Sequence, residues 1–187
     1  MRKVWIIAGV VGIWLAGGVQ AQCPPAPDHG VALARLIEQL RAAPDARMAQ
    51  QISDEMWALW LDAPDPAAQA LLDLGMHRRE AGELPEAREA LDELAAYCPA
   101  YAEGFNQRAF VSFIAGDYAA AVPDLDRALE LQPTHLGALT GRAMALIALG
   151  RDDAARRDLI RAVSLNPWLA EKRLLDGLDG AAPGEKL

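Results

Sequence analysis

Three prolines, Pro99, Pro133 and Pro167, and three glycines, Gly82, Gly116 and Gly150, each step through the 187-residue chain by 34. A period of that length marks an array of supersecondary units rather than one irregular core. Other positions keep the step. Ala87, Ala121 and Ala155 share one register, Gly75, Ala109 and Ala143 a second, and Leu91, Leu125 and Leu159 a third. Ala128 and Ala162 form a fourth, in which Leu94 is the exception. The chain is 52% hydrophobic, with three serines and two threonines, which is the composition of a packed helical protein and not of a disordered one.

Packing explains the pattern. Two helices of about 14 residues approach closely where their side chains are small, which the alanine and glycine registers supply. Glycine tolerates the left-handed backbone that ends the first helix of each pair, and proline ends the second. A lone pair leaves its apolar stripe exposed, so neighbours stack into a curved solenoid.

The motifs resemble the tetratricopeptide repeat family, whose pattern is W-x2-L-G-x2-Y, A-x3-F, P. Here the units read Leu71-x2-Leu74-Gly75-x2-Arg78, Ala87-x3-Leu91, Pro99; then Phe105-x2-Arg108-Ala109-x2-Ser112, Ala121-x3-Leu125, Pro133; then Leu139-x2-Arg142-Ala143-x2-Leu146, Ala155-x3-Leu159, Pro167. Leucine replaces most of the family's aromatics. The resemblance implies an all-α solenoid of helical hairpins with repeats at 68–101, 102–135 and 136–169. It also implies a hollow, lined by the first helix of each unit, that takes a peptide or helix. By register the hollow-facing residues are Leu72, Met76 and Arg79, then Asn106, Phe110 and Phe113, then Thr140, Met144 and Ile147. Packing against the adjacent helix is the alternative for any one of them. Phe110 and Met144 stand where the family's carboxylate-clamp members carry polar groups, so an acidic C-terminal tail is a poor ligand. The anchors expected for a nonpolar partner face are Phe110 and Met76.

Arg108 and Asp124, and Arg142 and Asp158, lie 16 residues apart at matched positions of repeats two and three, while repeat one has Leu74 and Ala90 there. Both partners are lost together, so ion pairs between the helices of one repeat are expected over a basic patch. Ahead of the repeats, Leu33, Leu36, Ile37 and Leu40, then Ala49, Ile52, Met56, Leu59 and Trp60, keep helical spacing. They predict a degenerate hairpin within 22–67, covering the first repeat's open end, with Trp57 packed in it or exposed as a contact. Trp168, Leu174, Leu175 and Leu178 predict a capping helix within 170–187, followed by a frayed tail from Gly180. Pro123 falls inside a predicted helix, where it removes a hydrogen bond or tilts the helix start.

Arg2 and Lys3 precede an uncharged apolar stretch and then Val19-Gln20-Ala21, the pattern of an export leader over 1–21 with cleavage after Ala21. A retained anchor is the alternative, although the stretch is short of the roughly 20 residues that span a bilayer. Gln22 before Cys23 argues against lipid attachment. The expected product is exported, periplasmic or secreted, without a membrane partner once the leader is removed. An oxidising compartment favours a disulfide between Cys23 and Cys98, with two separate thiols as the alternative.

Setting Arg2 and Lys3 aside leaves 16 basic against 26 acidic residues, the wrong sign for a nucleic-acid partner. His29, His77 and His135 lack metal-ligand spacing, Ser53, Ser112 and Ser164 lack an adjacent base, and no glycine-rich phosphate cradle occurs. The sequence therefore predicts no metal, no cofactor and no enzyme. It predicts an exported interaction module that docks a protein or peptide partner, as an adaptor in an envelope assembly, with a permanent subunit of a larger complex as the alternative.

Overall fold

A computed structural model describes residues 22–179. The expected leader with its cleavage point and the expected frayed tail from Gly180 lie outside the described residues. These residues form helices and no strand: α1 (Gly30–Arg41), α2 (Ala46–Trp60), α3 (Pro66–Glu80), α4 (Leu84–Tyr97), α5 (Ala102–Ile114), α6 (Tyr118–Leu131), α7 (Leu136–Ala148), α8 (Asp152–Leu165), a 3₁₀ turn (Ala170–Arg173) and α9 (Leu174–Asp179). Helices α3–α4, α5–α6 and α7–α8 are the three predicted hairpins.

Each hairpin turns on its predicted glycine. Gly82, Gly116 and Gly150 have φ of 77°, 78° and 68°. One residue later a backbone N–H closes each helix end, from Glu83 to Arg78 O, Asp117 to Ser112 O and Arg151 to Leu146 O at 2.8–2.9 Å. This is the left-handed cap that glycine permits without a Cβ clash. Asp117 accepts from Ala120 N at 3.0 Å and so caps α6. Asp65 caps α3 from Ala68 N at 2.8 Å and also accepts from the Tyr97 hydroxyl at 2.6 Å. Those two donors hold its carboxyl below the ordinary carboxylate value, the backbone one foremost. Pro123 lies within α6, which continues through it.

The small-residue registers sit at the helix crossings, and Ala87, Ala109, Ala121, Ala143 and Ala155 are fully buried. A Cβ on Gly75 stands only 2.6 Å from Leu91 Cγ, inside any tolerable contact. Gly75→Ala is therefore expected to destabilise the fold by up to about 2 kcal/mol: overpacking costs about 1–3 kcal/mol, and alanine's helix propensity recovers about 1. Urea denaturation checks this; a stabilised variant would show that α3 and α4 have room to separate.

The paired residues of repeats two and three meet as predicted. Arg108 Nε lies 2.8 Å from Asp124 Oδ2, and Arg142 Nε lies 2.7 Å from Asp158 Oδ2. Each arginine also reaches back to the preceding repeat. Arg108 donates to Asp92 at 2.9 Å and Arg142 to Asp126 at 2.6 Å. Both guanidiniums are held above their ordinary value, chiefly by the hydrogen bonds to Asp124 and Asp158. The result is a ladder that fixes the spacing of α4, α6 and α8.

The N-terminal hairpin departs from expectation. The body of its two helices does not cover the first repeat but packs on the second and third. Leu33, Leu36, Ile37 and Leu40 of α1 and Ala49, Ile52, Met56 and Trp60 of α2 share one core with Ala109, Leu125, Ala138, Leu139, Ala143 and Leu159. Residues 26–33 share a cleft with 100–103 and 131–135, and Arg41 Nε donates to Ser164 O at 2.8 Å. The hairpin thus runs past successive repeat junctions as a clasp. The first repeat is closed instead by the clasp's two feet, Cys23 and Ala26 on one side and Leu61 and Ala63 on the other, against Leu72, Leu91 and Leu94. Both feet are fastened to one short segment. Cys23 is disulfide-bonded to Cys98 with Cα atoms 5.1 Å apart, and Tyr101 donates to Trp60 O at 2.7 Å. Burial pushes the Tyr101 phenol well above its ordinary value. At the other end Leu169, Leu174, Leu175 and Leu178 pack on the core as the predicted cap, leaving Trp168 39% exposed.

Candidate functional site

The concave side of the solenoid holds a cavity of about 410 Å³. Seven of the nine residues predicted for the hollow line it: Met76 and Arg79 on α3, Asn106, Phe110 and Phe113 on α5, and Thr140 and Met144 on α7. They come together because the 34-residue register aligns equivalent faces of successive first helices.

Two predicted residues do not take part. Leu72 is fully buried in the core of repeat one, because Leu61 and Ala63 of the clasp's second foot pack over that stretch of α3. Ile147, one turn beyond Met144, packs against the core of repeats two and three away from the cavity.

Trp57 and Leu61 supply a wall that register reasoning missed, since they belong to the clasp and not to a repeat. Two glycines on α7 make room for it. A Cβ on Gly137 stands 2.8 Å from Trp57 Cη2, and Gly141 also borders the cavity. The Gly137–Gly141 spacing was the available signal, as neither position has a glycine in the first two repeats.

Below the cavity lies a buried polar floor centred on Glu103, which is 1% exposed. His135 Nε2 donates to Glu103 Oε2 at 2.7 Å, while His135 Nδ1 accepts from Ala138 N at 3.2 Å and caps α7. The cap fixes which ring nitrogen carries the proton. Asn106 Nδ2 donates to both Glu103 oxygens at 3.2 Å, and Gln107 Nε2 donates to Oε1. Both amides must turn their N–H groups to the carboxylate, so Gln107 presents its oxygen to Arg79. The His135 ring is stacked on Trp60 with centroids 4.3 Å apart, and Trp57 meets it edge-on at 5.9 Å. No register position signals Glu103 or His135, because they lie 32 residues apart and not 34.

The cavity surface is therefore mostly apolar, with the Arg79 guanidinium as its one charged lining group, 4.9 Å over the Phe110 ring. Phe110 is 45% exposed, a large aromatic held open at the mouth. Thr140 donates its hydroxyl to Leu136 O at 3.0 Å, so it offers the cavity little polarity.

Stacked helical hairpins with an inner trough define the class: an α-solenoid with a concave groove. Residues 112–167 match the family model described as tetratricopeptide repeat. A TPR repeat-containing protein of Rhizobium etli is 31% identical over 135 residues, covering 72% of this chain and 66% of that protein. Tetratricopeptide repeat protein 36 of Homo sapiens is 35% identical over 112 residues, 58% of this chain and 59% of that one. The chain belongs to the tetratricopeptide repeat family, and it spans about three fifths to two thirds of these relatives' lengths. Among solved structures, the first TPR of Spaghetti (RPAP3) bound to an HSP90 peptide superposes with a TM-score of 0.59 at 24% identity, over 60% of this chain and 90% of that one. The Yersinia enterocolitica type III secretion chaperone SycD in complex with a YopD peptide gives 0.51 at 16%, over 59% and 86%. At these identities the likeness is one of fold.

Proposed function

We propose that this chain is an exported interaction module that docks a peptide or helical segment of a protein partner in the groove between its clasp and its three repeats, as an adaptor in an envelope assembly. The observation that carries this reading is the meeting of Met76, Phe110, Phe113 and Met144 around one open cavity of about 410 Å³. Burying a partner's nonpolar side chains there contributes about 25 cal/mol per Å² before ordering is subtracted. Two of the structural neighbours were solved with peptides, which supports the same use of the trough here. The leader sequence and the Cys23–Cys98 bond support export.

Phe110→Glu tests the reading, because a carboxylate at the mouth disfavours an apolar ligand while an exposed position tolerates it for folding. We expect affinity capture with the variant to lose the partners held by the wild type, with an unchanged thermal midpoint. Retention of the same partners by a folded variant would move the binding surface elsewhere.

A further inference from the structure

We propose that the outer face of α8 and the turn after it form a second docking surface, for a bilayer carrying anionic headgroups. The repeat register exposes how this face differs from its equivalents. Repeat one presents Glu89, Asp92 and Glu93 at three outward positions of α4, and repeat three presents Arg157, Ile160 and Arg161 at the same three. In repeats one and two the middle position is a ladder carboxylate, Asp92 or Asp126, accepting from the arginine of the next repeat. After repeat three the corresponding position is Asp176, so no arginine follows and Ile160 is released from the ladder. It is 51% exposed. Arg157 and Arg161 are exposed, and neither guanidinium has an ion-pair partner among the described residues.

The face continues past the helix end. Trp168 is 39% exposed, the Lys172 ammonium lies 3.3 Å from Pro167 O, and Arg41 is held against Ser164 O. From Arg157 to the end of α8 at Leu165 this spans about 12 Å at helical rise, with Trp168 three residues beyond. Carboxylates border it: Asp153 one turn before Arg157, Glu38 paired with Arg41 at 2.8 Å, Glu171 beside Lys172, and Asp176 at the ladder position beyond Ile160.

An aromatic and a branched aliphatic side chain set among long cationic ones is the chemistry of a membrane–water boundary, where the arginine and lysine heads meet phosphates and the apolar groups enter the headgroup layer. The face is the outward side of the solenoid, away from the groove and from the cleft between residues 26–33 and 131–135. Arranged on an outward helix face and not around a cavity, these groups can meet a headgroup layer together. The chain's net charge of −8 does not prevent the approach, since screening beyond about 8 Å leaves the local cations to decide contact. No described helix is long and apolar enough to cross a membrane, so the contact is peripheral. This departs from the expectation that the processed chain has no membrane partner.

Flotation of the processed chain, from Gln22 to Leu187, with vesicles of equimolar phosphatidylglycerol and phosphatidylcholine, against pure phosphatidylcholine, tests it. The wild type is expected to prefer the anionic vesicles, and R157E/R161E to lose at least about thirtyfold in that preference. W168S is expected to weaken binding without changing its salt dependence. All three proteins are compared in the same processed form, beginning after Ala21, so the apolar 1–21 segment does not contribute to flotation. Equal partition to both vesicles, or an unchanged preference in R157E/R161E, overturns the proposal. Binding of the patch to soluble poly-glutamate with none to anionic vesicles overturns it in favour of an acidic polypeptide. Both arginines lack described partners, and an unaltered thermal midpoint is the check that the variant is folded.

Discussion

Glu103→Ala is expected to destabilise the protein by about 3–5 kcal/mol, the range found when one partner of a buried charged network is removed. The Glu103 carboxylate is 1% exposed and accepts from His135, Asn106 and Gln107. Alanine leaves those three donors without an acceptor in a region water does not reach, and each unpaired group carries its own desolvation penalty. The loss also propagates. Without Glu103 the Gln107 N–H loses its acceptor, so the amide that presents its oxygen to Arg79 is held less firmly. Chemical denaturation measures the effect. Glu103→Gln retains one acceptor oxygen and is expected to fall between the two. A loss below about 1 kcal/mol for the alanine variant would show that water enters to replace the carboxylate.

Removing the Cys23–Cys98 bond should cost about 4 kcal/mol in the chain-entropy model, because the bond closes a loop with a sequence separation of 75. Cys98 is 1% exposed at the end of α4, and Cys23 stands at the start of the clasp. The crosslink therefore holds one foot of the clasp, while the Tyr101–Trp60 hydrogen bond holds the other. We expect a Cys23→Ser/Cys98→Ser double variant, and the wild type in dithiothreitol, to share the same lowered denaturation midpoint. Identical midpoints with and without reductant would mean that the clasp is held by its core contacts alone. Because Trp57 and Leu61 form a wall of the cavity, the reduced protein should also bind its groove ligand more weakly.

The two variants act on features of unequal legibility. The cysteine pair was readable because the sequence holds only two cysteines, so each has one candidate partner. Glu103 was not readable: Asn106 and Gln107 lie one turn along the same helix, but the contact with His135, which buries the carboxylate, depends on how α5 and α7 stack. The same contrast runs through the groove. Met76, Phe110 and Met144 follow from the register, whereas Leu72 obeys the register and is nonetheless buried by a segment outside the repeats. The ion pairs divide likewise. Arg108–Asp124 and Arg142–Asp158 were visible as residues kept or lost together within a repeat, but the reach to Asp92 and Asp126 needed the distance between repeats.

By itself the sequence determined the helical hairpins, their turns and their stacking order. These depend on local causes repeated at a fixed offset: left-handed glycines, helix-ending prolines and small residues at each crossing. Only the tertiary structure decided where the first hairpin lies, which residues it hides and which it adds to the groove. Its apolar stripe suits more than one exposed surface of the solenoid, and the choice among them is made by shape: the opening that Gly137 and Gly141 leave for Trp57, and two anchored feet that direct the clasp toward the third repeat.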